Sequence, residues 1–187
     1  MPKVGPNLDL GDYGDGLWVF EEFGSGYGYM DDDGKIVIEP RFDYAEEFHE
    51  GLAIVRIDDD ESQYYFINKN GEKAFGAHFS DAKNFSEGLA PVSVGDYDES
   101  DDDAGEWHYT EWGYINTNGE MVISPIYDDA EPFSEGMAAV KKEGLWGFIN
   151  KAGEMVIKPQ FGYACTFENG RARVETSIDK EGKPVAK

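Results

Sequence analysis

The residues of this chain best suited to chemistry are three histidines, two serines in Phe-Ser-Glu-Gly, one cysteine and two runs of carboxylates. Their spacing limits what they can do. His49, His78 and His108 fall at unrelated distances, and no pair has the separation of a zinc ligand set or a proton relay; His49 reads as a surface turn residue. Ser86 and Ser134 each precede Glu-Gly and lack the strand–turn–helix setting of a hydrolase nucleophile, so their hydroxyls are expected to satisfy a local backbone donor before a turn. Asp96-x-Asp98-x-Ser100 begins like a calcium loop, but Asp101 stands where the loop needs glycine and Trp107 where it needs glutamate. The glycines form no phosphate-binding loop. Cys165 is the single cysteine, so the chain has no internal disulfide, and it is expected to be a buried structural thiol. Neither catalysis, a metal nor a cofactor is therefore expected.

The carboxylates remain. The chain carries 39 acidic and 16 basic residues, a formal net charge of −23. Residues 1–63 hold 17 acidic and 4 basic residues, a net of −13, whereas residues 146–187 hold 5 and 7, a net of +2. Spread evenly, this acid would serve solubility alone; concentrated in one part of the chain, it creates a field that accelerates encounter with a basic partner. Nucleic acid is excluded as that partner, because such a charge repels phosphate.

The elements that must position these residues repeat. Tyr27-Gly28, Tyr64-Tyr65, Trp112-Gly113 and Trp146-Gly147 head four similar segments, with offsets of 37, 48 and 34 residues. Each head runs into a short β-rich stretch and a polar turn with Gly34, Gly71, Gly119 or Gly153, where a hairpin needs a positive φ. A second short strand follows, which Pro40, Pro125 and Pro159 are expected to end; the second copy has Gly76 nearby and no proline. Then come Phe42, Phe79, Tyr127 and Phe161, and next Phe48, Phe85, Phe133 and Phe167, each with a glycine three residues on. These aromatics predict a non-strand crossover that plugs the core, after which an alternating third strand begins, as in Leu52 and Ile54 or Met137 and Ala139. A unit this small cannot bury its own apolar face, so the copies must pack on one another.

These residues resemble the WG-repeat family of bacterial β-repeat proteins across roughly residues 27–176. Trp-Gly, Phe/Tyr-Ile-Asn, Gly-Glu, Ile-x-Pro and Phe-x-x-Gly occur in order in the third and fourth copies. The second copy departs at Tyr64-Tyr65 and at the missing proline, which puts its hairpin in question. Leu17-Trp18-Val19-Phe20 looks like the last strand of a preceding unit. The resemblance implies a β-repeat array and no particular activity.

The predicted fold is all-β: four tandem repeats of about 34 residues, each a three-stranded antiparallel meander, stacked as a β-solenoid or a propeller-like array. Residues 1–187 are read as one repeat domain with units near 27–56, 64–94, 112–142 and 146–176, and acidic insertions at 57–63 and 95–111. Both insertions fall between a third strand and the next Trp-Gly position, and insertions at one unit position map to one face. The predicted partner-binding residues are accordingly Asp58, Asp59, Asp60 and Glu61 in the first, and Asp96, Asp98, Glu99, Asp101, Asp102 and Asp103 in the second. No run approaches the ~18 apolar residues of a membrane span, and residues 1–26 lack the pattern of a signal peptide, so a cytoplasmic protein off the membrane is expected. The expected function is binding of a basic protein partner, foremost as an immunity protein that neutralises a basic toxin domain, a nuclease included. A non-enzymatic adaptor with a peptide-binding edge is the alternative.

Overall fold

The computed structural model describes residues 8–57, 63–95 and 110–175. Every regular element among them is a β-strand, and the chain divides into two compact units, Met1–Phe85 and Ser86–Lys187.

In the first unit, β1 (Leu8–Gly14), β2 (Leu17–Glu22), β3 (Gly26–Met30) and β4 (Ile36–Phe42) form an antiparallel sheet in that order. A second sheet joins β5 (Tyr44–Ala45), β6 (Leu52–Arg56) and β7 (Tyr64–Asn68), and the two-residue β8 (Asp81–Ala82) follows. In the second unit, β9 (Leu89–Val94), β10 (Glu111–Asn116) and β11 (Met121–Tyr127) lie side by side in that order. Next come the sheet of β12 (Asp129–Ala130), β13 (Met137–Lys142), β14 (Leu145–Asn150) and β15 (Met155–Phe161), and the pair β16 (Tyr163–Glu168) and β17 (Arg171–Glu175).

The three strands expected of each repeat are present in the first, third and fourth copies, but the sheets are framed differently from the sequence repeat. The Trp-Gly strand pairs on one side with its own hairpin partner and on the other with the third strand of the preceding repeat: β3 with β2, β7 with β6, β10 with β9, β14 with β13. The meander is thus shared between neighbours, and Leu17–Phe20 serves as the third strand that precedes β3. The physical reason is burial. A core forms only where consecutive sheets face each other, as when Tyr29, Ile38 and Phe42 pack with Phe48, Ala53, Val55 and Ile67. The same arrangement recurs when Tyr114, Ile123 and Tyr127 pack with Phe133, Ala138 and Val140.

The plug aromatics behave as expected. Phe48, Phe85 and Phe133 are buried, while Phe167, in the last sheet, is half-buried. Each stands edge-on or tilted to the third residue of a Trp-Gly strand, with centroids 4.8 to 5.0 Å apart: Tyr29–Phe48, Phe66–Phe85, Tyr114–Phe133 and Phe148–Phe167. The crossover itself is not strand-free, however. Its first residues pair with the third strand of the same repeat, Ala45 with Val55, Ala130 with Val140 and Ala164 with Val174, because the chain must satisfy its backbone before turning.

The prolines do not end the second strands. Each sits inside a bulge in which four residues span the distance of two on the partner: Tyr27 faces Phe42 and Tyr29 faces Ile38, and likewise Trp112/Tyr127 with Tyr114/Ile123 and Trp146/Phe161 with Phe148/Ile157. The bulge backbone lies directly over the glycine of Trp-Gly. A Cβ at Gly113 would fall 2.5 Å from the Ile123 carbonyl oxygen, and one at Gly147 would fall 2.5 Å from that of Ile157. The motif therefore couples a glycine on one strand to a proline bulge on the next. Where Tyr65 replaces the glycine, the second strand is reduced to isolated bridges, Ile67 with Lys73 and Tyr64 with Phe79.

The polar turns explain the Asn and Glu of the motif. Asn116 Oδ1 accepts the backbone N–H groups of Asn118 and Glu120 at 3.0 Å each, and its Nδ2 donates to Glu120 Oε2 at 2.8 Å. Asn68 and Asn150 repeat this pattern, and Gly34, Gly71, Gly119 and Gly153 take φ between 77° and 81°.

Candidate partner-binding hairpins and cleft

Asp58, Asp59, Asp60, Glu61, Asp96, Asp98, Glu99, Asp101, Asp102 and Asp103 lie outside the described residues. The strands flanking them are described. The first insertion is closed by the facing pair Arg56 and Tyr64, the second by Val94 and Glu111. Both insertions therefore lie in the chain between a third strand and the next Trp-Gly strand, which pair with each other. In the other sheets the connection at this position is a short hairpin: Phe23 to Ser25 after Glu22, and Glu143-Gly144 after Lys142. Phe23 is 93% exposed at its tip, in a position that hydrophobic patterning does not flag because a lone aromatic in a polar turn carries no period.

A second candidate lies within the first unit. A cleft of about 470 Å³ is lined by Gly11, Asp12, Val19, Tyr27, Tyr44, Ala45, Glu46, Glu47 and Asn84. Gly11-Asp12, Glu46-Glu47 and Asn84 occupy one slot in three successive repeats, just ahead of the residue that plugs the core or its counterpart Tyr13. Gly11 and Asp12 sit in the register shift between Leu10 and Tyr13, where a bulge turns side chains out of the ladder. Repetition of the slot brings them to one place.

The lining is rich in acceptors. The Tyr44 hydroxyl donates to Glu46 Oε1, and His49 Nε2 lies 2.9 Å from Glu47 Oε1. Asn84 Oδ1 is buried with no hydrogen-bond partner. Burial pushes the Glu46 carboxyl above the usual carboxylate range; the Tyr44 hydroxyl pulls it back, and the charges of Glu47 and Asp81 add to the rise. Burial likewise raises the Tyr44 phenol, helped by its bond to Glu46. No lysine or arginine is among the lining residues. Such a surface offers charge and acceptors to a cation and little to an anion.

The other chemistry-bearing residues serve structure or stand apart. Ser86 and Ser134 donate not to local partners but to the carbonyl oxygens of Phe133 and Phe167, at 2.7 and 2.6 Å, and so tie one repeat to the next. Glu87 and Glu135 take positive φ of 55° in their Glu-Gly turns, where a side chain is uncommon. Their carboxylates accept the N–H groups of Gly136 and Gly170 in the following turns, and Lys151 pairs with Glu87 at 3.0 Å. Cys165 is half-exposed rather than buried, its Sγ 3.1 Å from the Tyr163 hydroxyl, because the crossover of the last sheet has no further repeat above it among the described residues. His78 is exposed, and His108 lies outside the described residues. Among the described residues, no group of three or more His, Cys, Asp or Glu side chains is placed to hold a metal ion, and no helix is long and apolar enough to cross a membrane.

Sequence signals for the cleft existed only as a polar residue, Asp12, Glu47 or Asn84, directly ahead of Tyr13, Phe48 and Phe85, which the repeat alignment displays but does not bring together.

A family model described as WG containing repeat matches residues 27–59, 66–97, 112–146 and 146–176. No curated protein matches the chain. Among solved structures, the computationally designed Ika8 protein is similar over 89% of this chain and 57% of its own length, at 8% identity and a TM-score of 0.50. The chain thus spans little more than half of that designed protein, and the likeness bears on the fold alone.

Proposed function

The chain belongs to the WG containing repeat family, and from that premise we propose that it is a non-enzymatic, cytoplasmic binding module for a basic protein. Its concrete form is an immunity protein that binds and neutralises a basic bacterial toxin domain, a nuclease among them. The observation that carries this reading is the cleft of the first unit, where three successive repeats contribute carboxylates, a buried unpartnered amide oxygen and tyrosine rings without a lysine or arginine among them. A net charge of −23, of which −13 comes from residues 1–63, supplies the long-range field. The field steers encounter, the acidic insertions make the first contacts, and the exposed Phe23 supplies an apolar anchor of the kind interfaces favour. A nuclease toxin covers its phosphate-binding face with lysines and arginines, which this surface mimics phosphate to engage.

The test uses the purified product of the adjoining reading frame as partner. Neutralising Asp58, Asp59, Asp60 and Glu61, or Asp98, Asp101, Asp102 and Asp103, to Asn, Gln or Ser should slow association while leaving the melting temperature unchanged, since exposed charges set encounter rates more than folding. The difference should shrink as salt rises toward a Debye length of about 8 Å. Equal association rates at low salt would return the acid to a role in solubility.

A second reading, an adaptor with a peptide-binding edge, rests on β4, β11 and β15. Each is the outermost strand of its sheet and exposes a valine at the same slot: Val37 (44%), Val122 (49%) and Val156 (54%). An extended peptide could add to such an edge. A complex that forms equally at high salt, and that is lost on Val122→Lys, would favour this reading.

A further inference from the structure

We propose that the cleft of the first unit is a seat for a single arginine side chain presented by the partner, with Asp12, Glu46 and Glu47 meeting the guanidinium and Tyr27 and Tyr44 walling it. The inference deepens the proposed function and rests on it.

Three observations choose this ligand. The lining supplies carboxylate acceptors from Asp12, Glu46 and Glu47, while the Tyr44 hydroxyl is already committed to Glu46. A neutral polyol or an anion would find too few donors. The carboxylates do not converge as a metal ligand set would, and a space of about 470 Å³ is far larger than an ion needs, so the cation must be an extended one. Between ammonium and guanidinium, the aromatic walls decide. A planar, weakly hydrated guanidinium stacks on tyrosine rings and bonds a carboxylate with two parallel N–H groups, whereas a lysine ammonium acts as a compact, strongly hydrated point charge.

The energetics of the cleft agree. Glu46 is half-buried beside Glu47 and Asp81, and its carboxyl is pushed above the ordinary range. A partly buried carboxylate charge is a cost that a seated cation relieves by neutralising it. Residues that destabilise the free protein and are satisfied only in a complex are what a binding site retains against selection for stability.

The experiment titrates the ¹⁵N-labelled full chain with arginine amide, lysine amide and citrulline amide, following backbone amide shifts. Citrulline keeps the shape of arginine and lacks its charge. The expected result is a saturable response to arginine amide centred on Asp12, Glu46, Glu47 and Asn84, with a dissociation constant on the order of millimolar. It should be weaker for lysine amide and absent for citrulline amide. Glu46→Gln with Glu47→Gln should weaken arginine amide about tenfold, since hydrogen bonds to a charged group are involved. Asn84→Ala, which leaves the carboxylates in place, should weaken it less. A cleft that stays silent, or that responds equally to citrulline amide, overturns the proposal, and equal binding of lysine amide overturns the assignment to guanidinium. A hexa-arginine peptide separates this failure from failure of the broader reading. If the peptide still associates in a salt-dependent way while the cleft is silent, the seat is wrong and the acidic binding module stands. If the peptide does not associate either, both fall.

Discussion

Replacing Gly113 with alanine probes the coupling between Trp-Gly and the proline bulge more directly than any change to the tryptophan. The new Cβ would lie 2.5 Å from the Ile123 carbonyl oxygen, 2.8 Å from the Pro125 nitrogen and 3.0 Å from the Pro125 Cα. Favourable separations between carbon atoms are about 3.5–4.0 Å, so the bulge must retreat by up to roughly 1 Å. All three neighbours are backbone, and no side chain can rotate away to make room. Overpacking of this kind costs about 1–3 kcal/mol, and the upper half of the range applies because the obstruction is main chain. Alanine returns roughly 0.4–1 kcal/mol by narrowing the unfolded ensemble, leaving a net loss near 2 kcal/mol. At about 2–4 °C per kcal/mol for a chain of this size, the melting temperature should fall by roughly 4–8 °C. Gly76→Ala is the matched control. Gly76 has no positive φ and nothing within 4 Å of its added Cβ, so the same chemical change there should leave stability unchanged or raise it by up to about 1 kcal/mol. Urea unfolding followed by tryptophan fluorescence and far-ultraviolet dichroism measures both. A Gly113→Ala midpoint equal to that of the parent would refute the coupling and leave the glycine without a structural reason.

Phe133→Ala should cost about 3–5 kcal/mol, because a ring only 1% exposed and 5.0 Å from Tyr114 leaves a cavity on removal; Phe167→Ala should cost less, since that ring is half-buried. Thermal melts of the two variants, ranked in the opposite order, would show that the last sheet rather than the interior carries the stability. Glu46→Gln tests the cleft through pH. Burial raises the Glu46 carboxyl above its ordinary 4.5 in the fold, so the folded chain holds that proton more tightly than the unfolded one, and the charged form costs stability above the folded pKa. The cost fades as pH falls through the folded pKa and is gone below 4.5. The variant should therefore melt higher than the parent at neutral pH, with the gap closing on acidification; a lower melting point at neutrality would mark the carboxylate as a structural acceptor.

The repeat, its four turns and its plug aromatics were legible in the residues because each depends on local chemistry. Asn-x-x-Gly closes a turn through its own side chain and a positive φ whatever the surroundings. An aromatic recurring once per unit must be buried because nothing else in so short a segment can form a core. The weakness of the second hairpin was legible too, from Tyr65 and the missing proline, although its cause was not. Only the paired strands show that the bulge occupies the space a side chain at the glycine position would need. The prolines were misjudged as strand ends for the same reason: a missing N–H looks terminal until a bulge supplies a position that needs none.

The acidic insertions read as lying between a third strand and the next Trp-Gly strand from period alone, because an insertion announces itself as an excess over the repeat length. The cleft could not be read in this way. Asp12, Glu46 and Asn84 are separated by more than thirty residues at each step, and each looks like an ordinary polar residue ahead of a core position. Their convergence depends on the packing of successive sheets and, for Asp12, on the bulge that turns it out of the ladder, both properties of packed sheets. The frame of the sheets is likewise tertiary. Local propensity makes a strand wherever residues alternate, but which edge a third strand joins is decided by where its apolar face finds a partner, and that partner belongs to the next repeat.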